Sequence, residues 1–238
     1  MSKNISIIIP IYNEEELLKD AVIGLLDQLA DDFKGFELLL TENGSSDQTR
    51  EIMKELEGID PRVKCLTDPN VADYGQALID GINACKFDEI CILEIDYLDL
   101  KFLRSGLELL SDFDLIIGSK KISPGIDQRP WKRKFFSNAY NLILKLFFGL
   151  TLSETHGLKV LRKSSLLEIA NICITRHAVY PSEFVLRACR DPHIKATEIP
   201  LTLPLIELRN TRITASKRLR KTLNDLRRLH KALYKKTI

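Results

Sequence analysis

A chain of 238 residues is large enough for one well-buried domain or two small ones, and 45% hydrophobic with 29% charged residues excludes a disordered or fibrous polymer. The apolar run at residues 5–9 stops at Pro10, and no later stretch reaches the roughly 20 apolar residues that cross a bilayer, so neither a signal peptide nor a membrane span is expected. The net charge of +2 hides an asymmetry: residues 216–238 carry nine Lys or Arg against one acid, Asp225, and the rest of the chain sums to −6. A slightly acidic body thus ends in a basic tail that suits an anionic partner.

Residues 5–9 predict a fully buried strand, and residues 14–30 a helix with Leu17, Leu18, Ala21 and Leu25 on one face. Residues 36–40 are the next strand, followed by the helix caps Ser45, Ser46 and Asp47 and a helix over 49–56. Then come a strand at 63–66, a helix at 76–85, and strands at 90–93 and 114–117. Such alternation predicts an α/β fold, a parallel sheet with helices on both faces and ligands beyond the carboxyl ends of the strands. The second half is less regular: a helix over 132–150, a strand at 157–160, a helix at 180–189 and a strand at 194–199. Residues 216–234 close the chain as a long basic helix with Leu219, Leu223, Leu226, Leu229 and Leu233 in one stripe. The simplest division is one domain, 1–215, with 216–238 as its helical extension. Five scattered cysteines (Cys65, Cys85, Cys91, Cys173, Cys189) sit at neither zinc-ligand nor redox spacing, as reduced structural thiols of a cytosolic protein do.

Glu94-Ile95-Asp96 follows the strand at 90–93. Two carboxylates one residue apart at a strand end can share one Mg²⁺ or Mn²⁺, which would bridge the phosphates of a nucleoside diphosphate. Alone, the triplet reads as a solvated acid pair. Its company changes that. Pro10-Ile11-Tyr12-Asn13-Glu14-Glu15 ends the first strand, Glu42-Asn43-Gly44-Ser45-Ser46-Asp47-Gln48-Thr49 the second, and Gly118-Ser119-Lys120-Lys121 the fifth. Tyr74-Gly75-Gln76-Ala77-Leu78 opens a helix whose first N–H groups can face a phosphate.

This ordered set resembles the family 2 glycosyltransferases of the GT-A fold, which show P-x-Y-N-E, D-D-G-S-x-D-x-T, N-x-G-x-G-x-A-L, D-x-D and G-S-R in this order. The segment 131–141, with Arg133, Ser137 and Asn141, is similar to that of dolichyl-phosphate mannose synthases and related polyprenyl-phosphate glycosyltransferases. So is Glu154-Thr155-His156-Gly157-Leu158-Lys159. The resemblance implies a GT-A, Rossmann-like, mostly parallel sheet, and an inverting transfer of a sugar, mannose or glucose first, from a nucleotide-sugar to a polyprenyl phosphate. By the same resemblance Pro10, Tyr12, Glu14, Asn43, Gly75 and Ile95 contact the donor, and Glu94 and Asp96 hold the metal. Asp96, Lys120, Arg133 and Ser137 serve catalysis, the last three on the acceptor phosphate, with Arg209 or Arg212 closing on phosphates. The implied partners are an anionic membrane surface on its cytoplasmic face and, as an open option, an integral membrane protein, with no nucleic acid.

Three departures bear on activity. Glu42-Asn43 stands where the family has two aspartates, which leaves the nucleobase open. Glu94 is one methylene longer than the usual Asp, with Leu98 where relatives carry a Gln ligand and Asp99 as a substitute. Lys120 replaces an arginine. Two alternatives stay in view: transfer to a saccharide or lipid hydroxyl, with Glu154 or Glu183 as base, and a non-catalytic sugar-nucleotide-binding subunit. His156 and His177 read as structural residues. Phe135, Phe136, Phe147 and Phe148 read equally as core or as a lipid interface.

Overall fold

The computed structural model describes residues 4–67, 73–122, 127–202 and 215–234, with side chains of 215–219 left aside. The first strand, β1 (Asn4–Ile11), is apolar on both faces because it is covered on both. Ile5, Ile7, Ile9 and Ile11 pack into one core cluster and Ile8 into the other. The alternation is the strand's two-residue period doing the sorting. Helices α1 (Leu18–Asp32) and α2 (Thr49–Ile59) cover the first face, and α3 (Tyr74–Ala84) the second.

β1 pairs in parallel with β2 (Gly35–Glu42) on one side, in the register Ile5↔Phe36 to Ile11↔Glu42, and with β4 (Glu89–Ile92) on the other. β3 (Val63–Thr67), β5 (Leu115–Ser119), β6 (Lys159–Arg162) and β7 (Ala196–Pro200) complete a seven-stranded sheet in the order β3-β2-β1-β4-β6-β5-β7. Every neighbouring pair is parallel except those of β6, which runs against both β4 and β5. The chain that follows β5, with helix α5 (Trp131–Phe148), returns to the edge it left, so β6 starts there and runs down. As a result the carboxyl ends of β1, β2, β4, β5 and β7 and the amino end of β6 share one edge of the sheet.

Two helices go beyond the sequence expectation. α4 (Leu100–Leu109) buries Leu100, Phe102, Leu103 and Leu107 at helical spacing, and α6 (Lys163–Ile172) buries Leu166, Ile169 and Ala170. α7 is Tyr180–Arg190. The basic helix α8 (Ala215–Tyr234) lays its leucine stripe on the body, with Leu226 and Leu229 in the second core cluster and Leu233 against it. His230 meets the Phe148 ring edge-on at 5.7 Å, which docks α8 beside the end of α5. Among the described residues no helix is long and apolar enough to cross a membrane.

Candidate functional site

The loops after β1 and β2 are tied together by side chains capping backbone. The Asn13 and Glu14 amides donate to Ser45 Oγ at 2.9 Å and Thr49 Oγ1 at 2.8 Å. In return the Ser46 and Gln48 amides donate to Asn13 Oδ1 at 2.8 Å and Glu15 Oε2 at 2.9 Å. The crossing needs left-handed backbone at Asn13 (φ 54°) and Gly44 (φ 78°), the residue types that adopt it most readily. Tyr12 stands half exposed at this rim, whereas Pro10 is buried within β1.

Of the two residues at the family's paired-aspartate position, Glu42 is buried and fully used. It accepts the Ser45 amide and pairs with Arg50 Nε at 2.9 Å. Asn43 donates its backbone N–H to the Ile11 carbonyl at 2.9 Å, while its buried side-chain Oδ1 has no partner. A buried amide oxygen without a donor is costly, so a nucleobase N–H is the kind of group that completes it.

Glu94-Ile95-Asp96 forms a tight turn closed by the Tyr97 amide on the Glu94 carbonyl at 2.9 Å. Ile95, expected at the donor, has its side chain buried in the core, where it anchors this turn. Asp96 is exposed, and Glu94 is half buried with Tyr74 donating to its Oε1 at 2.7 Å. Burial, opposed by that hydrogen bond and reinforced by the Asp96 charge, pushes the Glu94 carboxyl up to about 7. In smaller measure the Lys159 charge lowers it and the Glu14 charge raises it.

The family implies a divalent ion at this turn. Among the described residues no group of three or more His, Cys, Asp or Glu is placed to hold a metal. Two oxygen ligands from Glu94 and Asp96 are nevertheless the usual protein share for Mg²⁺, which takes the remainder from water and substrate phosphates. The site therefore fits Mg²⁺ or Mn²⁺ carried with a diphosphate. Asp99 does not belong to it. It is fully buried and caps α4, accepting from the Phe102 amide at 3.0 Å and the Thr202 amide at 2.6 Å. Leu98 packs on the core.

Lys120, expected as a free phosphate-binding cation, is instead committed to an ion pair with buried Glu154. Against burial, which raises it, the Lys120 ammonium holds the Glu154 carboxyl down at about 2. Lys159 closes the 154–159 segment but was given no site role by the sequence. It is buried, donates Nζ to the Gly157 carbonyl at 2.8 Å, and is brought down by burial to about 8 despite the charges of Glu94 and Glu154. Its signal was its place at the end of that segment, where the resemblance gave it no role.

Arg133 and Ser137, one turn apart on α5, share the inward stripe of Leu144 and Phe148. That side docks on the 153–156 loop: Asn141 Nδ2 donates to the Ser153 carbonyl at 3.0 Å, and the Tyr140 and His156 rings meet edge-on at 5.7 Å. Glu183, the other candidate base for a hydroxyl acceptor, is fully buried. It accepts the Ile174 and Thr175 amides at 2.9 and 2.8 Å and pairs with Arg187 at 2.8 Å. His177 pairs with Asp73, the residue before α3. Arg209 and Arg212 lie outside the described residues.

Gly75 also differs from expectation. Its N–H donates to the Arg176 carbonyl at 2.6 Å and is not open to a phosphate. A Cβ there would meet that carbonyl at 2.5 Å and Tyr180 Cβ at 2.6 Å. Gly75→Ala should cost about 1–3 kcal/mol by overpacking, read as a lower denaturation midpoint; an unchanged midpoint would show that the 176–180 segment yields freely.

With this geometry in place, comparison with known proteins is informative. Residues 6–170 match the model of the family described as Glycosyl transferase family 2. The chain is 25% identical over 192 residues to glycosyltransferase AglD of Haloferax volcanii, covering 78% of this chain and 31% of that one. It is 31% identical over 101 residues to the uncharacterized glycosyltransferase YkcC of Bacillus subtilis, covering 42% and 31%. The chain thus spans about a third of the length of these curated relatives. Among solved structures, glucosyl-3-phosphoglycerate synthase of Mycobacterium tuberculosis with Mn²⁺, UDP and glucosyl-3-phosphoglycerate superposes with a TM-score of 0.62 at 18% identity, covering 95% of this chain and 79% of that one. The same enzyme with Mn²⁺, UDP-glucose and phosphoglyceric acid gives 0.63 at 18% identity and the same coverage, 95% and 79%. These likenesses establish the shared GT-A fold.

Proposed function

The chain belongs to glycosyl transferase family 2, and on that premise we propose that it moves a sugar, mannose or glucose, from a nucleoside diphosphate to a polyprenyl phosphate. Residues 1–215 are the catalytic domain in this reading and 216–238 its extension. Tyr12, Glu14 and the Asn43 amide, whose Oδ1 lacks a partner, take the base and ribose. An amide both accepts an imino N–H and donates to a ring carbonyl. A Mg²⁺ or Mn²⁺ held by Glu94 and Asp96 would supply positive charge to the leaving diphosphate. The Mn²⁺ and UDP in the solved neighbours support that half of the reading.

The observation that carries the acceptor half is the state of the two candidate bases. A hydroxyl acceptor needs a carboxylate to take its proton. Glu154, held at about 2 by Lys120, is too weakly basic, and both oxygens of Glu183 are engaged by amide and guanidinium donors. A phosphate monoester is already ionised at neutral pH, with its second pKa near 6, and attacks without a base. Arg133 and Ser137, on the α5 stripe that docks on the Glu154 loop, orient that phosphate, with Lys120 acting from within its ion pair. One in-line displacement inverts the anomeric centre.

Incubation with Mn²⁺, labelled GDP-mannose or UDP-glucose, and a polyprenyl phosphate should give labelled lipid. No transfer from any donor, with metal and membranes supplied, overturns the proposal and leaves the chain as a binding subunit. Arg133→Ala should lower transfer about 100-fold, the range for one lost charge-stabilising donor. Glu183→Gln should lower thermal stability while folded protein keeps its activity. The reverse pattern would mark a hydroxyl acceptor with Glu183 as base.

A further inference from the structure

Helix α5 is amphipathic in an unusual sense: its inner side serves the site and its outer side is apolar. Trp131, Phe135, Phe136, Leu142, Leu146 and Phe147 are between 55% and 72% exposed. At 100° per residue Trp131, Phe135, Leu142 and Leu146 lie opposite Leu144, and Phe136 and Phe147 extend the same apolar strip round toward Arg133. A run of large apolar side chains like this on the surface marks an interaction face.

The chemistry of its border identifies the occupant. α5 carries no acid; Lys134 and Lys145 line one edge of the strip, Arg133 the other, and Lys132 lies within it at the first turn. The adjoining helix α8 exposes Arg220, Lys221, Arg227, Arg228 and Lys231, while its one acid, Asp225, is buried. An apolar strip edged by cations matches the acyl boundary and the head groups of an anionic bilayer. α8 itself cannot be the inserting element, because Leu226 and Leu229 are spent in the core. We infer that α5 is the membrane-docking helix, lying flat with its outer side in the interface of an anionic leaflet and its inner side presenting Arg133 and Ser137 to lipid phosphates. α8 contributes charge alone.

This inference rests on the lipid-phosphate reading for its purpose, and its readout is separate. Trp131 is the one tryptophan of the chain, so it reports directly on α5. The full chain is mixed with vesicles of phosphatidylcholine, with and without phosphatidylglycerol. Trp131 emission should shift to the blue and be quenched by brominated acyl chains. Removing Lys132, Lys134 and Lys145 by Gln substitution should weaken binding about fivefold per charge, more weakly at high salt.

The combined variant Phe135→Ser, Phe136→Ser, Leu146→Ser and Phe147→Ser should lose vesicle binding at least tenfold while keeping its unfolding temperature, donor binding and transfer to a short, water-soluble isoprenyl phosphate. Unchanged emission with folded wild-type protein overturns the inference. So does a concentration-dependent dimer that the same variant abolishes, since a second copy would then cover the face. If the wild type docks but no isoprenyl phosphate accepts sugar, the functional reading fails and the docking stands. If the variant glycosylates lipid in vesicles as fast as the wild type, docking by α5 fails and the functional reading stands.

Discussion

Replacing Glu154 with Gln should lower the unfolding free energy by about 3–5 kcal/mol, the range for removing one partner of a buried ion pair. Lys120 would be left nearly buried with a charge and no counter-ion, since its side chain is 11% exposed and that of Glu154 3%. For a chain of this length the loss reads as a drop in melting temperature on the order of 10 °C. The pH dependence has the same origin. The Glu154 carboxyl is depressed to about 2 from 4.5, so its contribution is fully present above about 4.5 and is lost as pH falls through 2. Wild-type stability should therefore decline steeply below pH 4.5, and the variant less so. The double variant Glu154→Gln, Lys120→Met should recover part of the loss, because no uncompensated charge remains. A single variant as stable as the wild type would mean that water reaches Lys120 and that the pair is a surface feature.

Asp96→Ala should lower transfer by at least about 100-fold, the cost of one group that holds charge against the departing diphosphate. Folding should be untouched, because Asp96 is exposed and makes no buried contact. The split between activity and stability separates Asp96 from Asp99 three residues on. Asp99→Ala removes the α4 cap and the link to Thr202, and should cost stability first. Parallel assays and melting curves on the two variants check this. A stability loss at Asp96 equal to that at Asp99 would show that the turn, and not a ligand, depends on its carboxylate.

These two neighbours also show what a sequence carries and what it does not. The strand-end motifs were legible because apolar runs such as Ile5-Ser6-Ile7-Ile8-Ile9 fix where a buried strand stops, and a parallel sheet gathers those stops at one edge. Direction is not in the pattern: the period of a strand is the same up or down, so the antiparallel course of β6 came only with the structure. α4 had its signal in Asp99 followed by Leu100, Leu103 and Leu107. Beside the acids Glu94 and Asp96, Asp99 reads as a metal ligand as readily as the cap it is. The remaining differences are tertiary. Glu154 meets Lys120 across 34 positions, Thr202 meets Asp99 across 103, and Gly75 is required by a segment about 100 residues downstream. No local pattern encodes a partner at that distance. Glu183 is the same case in reverse, since an acid at a helix start reads as solvated until the Ile174 and Thr175 amides are seen on it.

The central claim is that Glu94 and Asp96 form a metal-dependent donor site together with the Asn43 amide. Calorimetric titration of UDP-glucose and GDP-mannose, with and without Mn²⁺, into the wild type and Asp96→Ala tests it most directly. One donor should bind at a single site only when metal is present, and Asp96→Ala should remove that binding while remaining folded. Equal donor binding without metal, or an Asp96→Ala isotherm matching the wild type, would contradict the account.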